Sequence, residues 1–159
     1  NGGGGGGGSS SSLGAAADEA LDFMLHLALN HSVMIERGSD ELVSSSPDEL
    51  AFVACAEFFG IELVLRDLQK HQVLLREKAR GTVHVIELLE VFPYESSRKR
   101  MSVMVRLPEA LARGRCREVL YCKGADSVLL ERLRGYSHGA RGAGVADANG
   151  DAGAGDGGS

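Results

Sequence analysis

The sequence predicts an α+β domain, a twisted antiparallel β-sheet flanked by helices, and three observations carry that expectation. Two segments, 18–34 and 46–60, repeat apolar residues at helical spacing. Five segments rich in branched residues, at 61–65, 73–76, 82–92, 101–106 and 118–123, follow one another across short connections, as antiparallel neighbours do. Both ends of the 159-residue chain are tracts of Gly, Ser, Ala and Asp that bury too little apolar surface to offset the entropy of ordering them. Residues 1–17 and 136–159 are therefore expected to be disordered. The foldable part is 18–135, roughly 115–120 residues, enough for one domain with one core.

The first helix, 18–34, is read from Leu21, Leu25, Ala28 and Leu29, with Met24 and Leu27 widening the apolar face. Residues 36–45 are polar and hold Gly38, which marks a loop. The second helix is announced by its start. Ser46 suits the N-cap, Pro47 the first helical position, and Glu49 completes a Ser-x-x-Glu capping box. Asp48 and Glu49 also stand where the helix dipole favours negative charge. Phe52, Val53, Ala56 and Phe59 are expected to face the core, and Gly60 to end the helix. Among the strands, 82–92 alternates in part and 101–106 alternates again, with Gly81 at a turn. Residues 108–114 form a loop, 118–123 a last strand and 126–133 a closing helix. No internal repeat is present.

Composition excludes several classes. The net charge of −5 misleads, because between residues 45 and 135 there are 15 Lys and Arg against 13 Asp and Glu. A nucleic-acid binder of this size shows a stronger basic excess, so no nucleic-acid partner is expected. Cys55, Cys116 and Cys122 are odd in number and lack metal-ligand spacing, and the five His are scattered. Buried free thiols in a reducing compartment, and no metal site, are the expectation. No apolar run approaches the roughly 18–20 residues that cross a bilayer. The chain begins at Asn1 with no signal segment, and it is expected to be a soluble piece of a longer protein or an incomplete gene model.

The glycine run at residues 2–8 has no strand before it and no Gly-Lys-Ser/Thr after it, so it fails as a phosphate loop. A nucleotide would then need stacking for its base and cations for its phosphates. Tyr94 precedes a turn and Lys99 lies five residues on, so an aromatic face and a cation can share one mouth of the sheet. Periodicity accounts equally for Tyr94 as a core-edge aromatic and for Arg98, Lys99 and Arg100 as a solvated strand end. Lys123-Gly124-Ala125-Asp126 is a strand end, a glycine that permits close backbone approach, and an aspartate placed to cap a helix. Glu49 is already explained by its capping box.

The ordered set of these motifs resembles the nucleotide-binding domain of P-type ATPases, with the phospholipid flippases as the nearest branch. Ser46-Pro47-Asp48-Glu49 before a helix is similar to the flippase Ser-Pro-Asp-Glu motif. The segment 96–103, Ser-Ser-Arg-Lys-Arg-Met-Ser-Val, resembles their strand motif, and 121–128, Tyr-Cys-Lys-Gly-Ala-Asp-Ser-Val, their Lys-Gly-Ala-Asp turn. The segment 23–33 resembles the helix that usually ends in Cys-His-Thr-Val, with Asn30 in place of the cysteine. The likeness runs from Leu21 to Leu133.

Position by position, the resemblance implies that Glu49 contacts the adenine amino group and that Tyr94 stands where a phenylalanine stacks on the ring. Ser96 lines the pocket, Lys99 approaches the nucleotide, Lys123 lies deep in the site and Gly124 admits the ligand. The family has Glu-Phe where this chain has Pro93-Tyr94, and Phe92 is the alternative stacking ring. The resemblance also implies ATP as ligand, Mg²⁺ accompanying it in the full-length protein, and a place at the cytoplasmic face of a membrane. It implies phosphorylation and actuator domains and membrane helices as partners, with phospholipid reached only through the membrane part. The sequence holds no Asp-Lys-Thr-Gly-Thr and no Thr-Gly-Glu, so no catalytic residue is assigned and the chain alone is not expected to hydrolyse ATP. Two alternatives share the observations: the same domain of a cation pump, and a stand-alone interaction module without ATPase activity.

Overall fold

The computed structural model describes residues 9–36, 39 and 41–133, with side chains from residue 14 onward. The expected disorder at 1–8 and 136–159 lies outside these residues. Contacts divide the chain after Ala125. The first unit holds α1 (Ser9–Leu29), β1 (Met34–Ile35), β2 (Leu42–Val43), α2 (Pro47–Phe58) and β3 (Ile61–Asp67). It continues with β4 (Gln72–Glu77), β5 (Thr82–Glu95), β6 (Arg100–Arg106), α3 (Glu109–Ala112) and β7 (Glu118–Gly124). The second unit, as described, is a short α4 (Asp126–Leu129) and one 3-10 turn (Leu130–Arg132), shorter than the single helix expected over 126–133.

Strands β3 to β7 form one five-stranded sheet in chain order, every pair antiparallel. Helices α1 and α2 pack on one face of it. Leu25, Ala28 and Leu29 of α1 and Val53 and Ala56 of α2 join Leu75, Ile86, Val103 and Val105 in one buried apolar core. Each large side chain there contributes about 1.5–3 kcal/mol by burial. The far face carries an ion ladder instead, with Arg106 between Glu87 and Glu118. Phe52 and Phe59 are 37% and 63% exposed, so only Val53 and Ala56 of the four expected α2 core residues are buried.

Helix α1 is displaced from its expected bounds at both ends. It begins at Ser9 rather than at residue 18, since Ala15, Ala16 and Ala17 are strong helix formers. It stops at Leu29 rather than at 34 because side chains claim its last carbonyls. Nε2 of His31 donates to the Ala28 carbonyl at 2.8 Å, and the buried Arg66 donates to the Leu29 carbonyl at 3.2 Å. Nδ1 of His31 accepts from the Val33 N–H at 3.1 Å, which turns the chain into β1. Part of the expected loop 36–45 therefore pairs as a two-stranded ribbon, Met34 with Val43 and Ile35 with Leu42. The expected loop 108–114 likewise contains a helical turn, α3, which buries Leu111 and Ala112. Arg113 and Arg115, just past it, pair with Asp18 and Asp22 of α1.

The three cysteines are free, as expected, but none is fully buried: Cys116 is exposed and Cys55 and Cys122 are half-buried. No described helix is long and apolar enough to cross a membrane.

Candidate functional site

Helix α2 starts as the sequence implies, but Glu49 is not spent on its cap. Oγ of Ser46 accepts from the Glu49 N–H at 3.4 Å, whereas the Ser46 N–H goes to Oγ of Ser44 at 3.1 Å. With the reciprocal half of the capping box supplied by Ser44, the Glu49 carboxylate points elsewhere. Its Oε2 accepts from the N–H and the Oγ of Ser32, at 2.8 and 2.6 Å, and its Oε1 accepts from Nζ of Lys123 at 2.7 Å. Only 10% of the Glu49 side chain and 24% of that of Lys123 are exposed. Burial by itself would raise the Glu49 pKa, but the hydrogen bonds from Lys123 and Ser32 outweigh it and bring it to about 2. The group is a fixed carboxylate with no proton to give.

Lys123 reaches this position through strand register. It pairs with Met101 on the helix-covered side of the sheet, two places from Tyr121, which pairs with the fully buried Val103. Its ammonium also lies 5.2 Å from the centroid of the Phe52 ring. Phe52 is three residues after Glu49, so both stand on one face of α2.

Glu49, Tyr94, Lys123 and Gly124 line a single cavity of about 590 Å³ together with Ser32, Ser45, Ser46, Asp48 and Phe52. That volume lies within the range of about 300–1,000 Å³ usual for small-molecule sites. Tyr94 is 60% exposed, which leaves a ring face available. A smaller cavity of about 290 Å³ shares Ser32, Glu49 and Tyr94 as walls and has Arg66 and Pro93 in its lining. Phe92 is not in either lining. It pairs with Ser102, on the opposite face from the Val91–Val103 pair, and the guanidinium of Arg98 covers its ring at 5.6 Å. A register shift between Phe92 and Glu95 separates the two aromatics, so of the two rings Tyr94 is the one at the cavity.

Ser96 and Lys99 are not brought to this lining. Both are exposed on the turn between β5 and β6, and Lys99 has a left-handed backbone (φ 51°) that closes the turn. The Lys99 carbonyl accepts from the Ala125 N–H at 3.0 Å. Gly124 is explained by the same contact, since a Cβ there would lie 2.4 Å from the Lys99 carbonyl oxygen. The close approach it permits is first that of the protein's own backbone. Asp126 opens α4, where its Oδ1 accepts from the adjacent Ser127 N–H at 2.6 Å.

Two residues were missed by sequence reasoning. Phe52 was assigned to the core, although its spacing from Glu49 places it on the same helix face. Ser32 follows α1 in an Asn-His-Ser-Val segment, and nothing local to it points to Glu49, 17 residues away. Among the described residues no three His, Cys, Asp or Glu side chains gather as a metal cage.

A buried carboxylate paired with a lysine, flanked by two aromatic rings at the open end of an antiparallel sheet, can receive a flat heterocycle that carries a hydrogen-bond donor. The family model for the cytoplasmic domain N of P-type ATPases matches residues 20–144, and the chain belongs to that family. Its relatives include phospholipid-transporting ATPases. It is 40% identical over 117 residues to phospholipid-transporting ATPase IC of Xenopus tropicalis, covering 72% of this chain and 9% of that one. It is 40% identical over 116 residues to phospholipid-transporting ATPase DNF1 of Saccharomyces cerevisiae, covering 70% and 7%. It is 41% identical over 115 residues to human phospholipid-transporting ATPase ID, covering 70% and 9%. The chain thus spans less than a tenth of the length of these relatives.

Proposed function

We propose that this domain binds ATP within a phospholipid-translocating P-type ATPase and presents it to a phosphorylation domain elsewhere in that protein. The convergence of Glu49, Tyr94 and Lys123 on one cavity is the observation that carries the reading. The names of the relatives support the lipid-transporting branch over a cation pump, and the intact cavity speaks against a module that has lost its ligand site.

The adenine ring stacks on Tyr94 and directs its 6-amino group to the Glu49 carboxylate, which can only accept. Lys123 bridges Glu49 and the nucleotide. The lining holds two carboxylates, Asp48 and Glu49, against one ammonium, so its charge suits the nucleoside end rather than a triphosphate. The phosphates then project from the mouth with their Mg²⁺, which binds through phosphate oxygens and few protein ligands. Lys99, whose carbonyl lies against Gly124, stands beside that rim with Ser96 on the same turn. Phosphoryl transfer, coupling to actuator and membrane parts, and lipid movement at the cytoplasmic side of a membrane belong to the longer protein.

Isothermal titration of ATP into the wild-type chain, Tyr94→Ala and Lys123→Ala tests the site. Loss of either contact should weaken binding by about tenfold or more, since stacking and charged hydrogen bonds are each worth about 1–3 kcal/mol. Equal affinity for all three proteins rejects the assignment.

A further inference from the structure

Ser32 makes two bonds to one oxygen. Its backbone N–H and its hydroxyl both end on Glu49 Oε2, at 2.8 and 2.6 Å, while Ser44 Oγ reaches that oxygen only at 3.5 Å. Lys123 alone holds Oε1. Oε2 is therefore saturated, and Oε1 is the oxygen with capacity left to face a ligand in the cavity. Ser32 is itself fixed from behind: the ring of the preceding His31 joins the Ala28 carbonyl to the Val33 N–H, so the backbone on both sides of Ser32 is stapled to the end of α1.

The geometry points to Ser32 as a specificity-determining residue: by holding Oε2 it aims Oε1 at the 6-position of a purine and selects a 6-amino group over a 6-oxo group. This rests on the reading above that adenine enters with its amino group toward Glu49. The chemistry is that of acceptor against acceptor. A 6-amino purine offers Oε1 an N–H, whereas hypoxanthine presents a carbonyl oxygen at the same place and leaves a carboxylate facing a lone pair. Sites built to hydrogen-bond one substrate group reject analogues that cannot return the bond. A carboxylate free to swing could turn aside from the carbonyl, and Ser32 is what prevents the swing. Ser32 acts through Glu49 and is a positioning residue.

The test is titration of ATP and ITP, which differ at the 6-position, into the full chain and two variants. Ser32 is exposed, so its substitution leaves the core intact. The wild type should bind ATP at least about tenfold more tightly than ITP. Ser32→Ala keeps the backbone bond and loses the hydroxyl; its ATP affinity should fall by about fivefold to tenfold with ITP affinity nearly unchanged, so the ratio collapses toward unity. Ser32→Thr restores the hydroxyl and should recover the wild-type ratio. A merely structural role would weaken both nucleotides equally. An unchanged ratio in Ser32→Ala, or a loss in Ser32→Thr as large as that in Ser32→Ala, overturns the role of Ser32 and leaves ATP binding standing. A wild-type protein that binds neither nucleotide overturns both.

Discussion

Acidification should destabilise this domain through His31, and the size of the effect follows from its surroundings. The ring is fully buried, with Nε2 donating to Ala28 and Nδ1 accepting from Val33, an arrangement only the neutral imidazole can keep. Burial first, and the Arg66 guanidinium second, bring its pKa from 6.5 down to about 4. The unfolded chain therefore binds the extra proton between those two values. Stability from this group is complete above pH 6.5 and drains away as the pH falls toward 4. Between pH 7 and pH 5 the loss is about 2 kcal/mol from His31 alone, a fall in Tm on the order of 10 °C for a domain of this size. His26, lowered by burial and by Lys123, adds in the same direction. Urea denaturation at pH 7 and pH 5 measures the loss, and His31→Gln isolates it, because glutamine does not titrate. The variant should be less stable at pH 7 and lose less on acidification than the wild type. Equal pH slopes in the two proteins, or an NMR titration midpoint for His31 near 6.5, would refute the reasoning.

Two further outcomes follow from the cavity. Lys123→Met removes the charged bond to Glu49 and should cost about 1–2 kcal/mol in urea denaturation at pH 7, with the Glu49 pKa rising from its low value when followed by NMR. Gly124→Ala forces a Cβ against the Lys99 carbonyl and should destabilise by about 1–3 kcal/mol whether or not nucleotide is present; wild-type stability would contradict the close approach.

Much of this molecule was legible in one dimension. Ser46, Pro47 and Gly60 mark the ends of α2 because caps and helix stops are local chemistry. The antiparallel sheet was readable because most of its strands follow one another across short connections. Glu49, Tyr94 and Lys123 could be named because their motifs are themselves short runs of sequence. The remainder depends on contacts that periodicity does not encode. Glu49 satisfied a local rule, yet its partners lie 17 residues before it and 74 residues after it. Phe92 and Tyr94, two apart, would share a face on a regular strand, and an irregularity of register parts them. The helix expected over 18–34 ends instead at Leu29, where Arg66, 37 residues on, takes the Leu29 carbonyl.

The Glu49–Lys123 pair has a consequence for how tightly anything can be held here. A visitor to this cavity inherits bonds that the protein has already made to itself, so its gain is only the difference between new partners and old. Such exchanges give modest dwell times, and rapid turnover of occupants is the natural behaviour of a pocket furnished in this way.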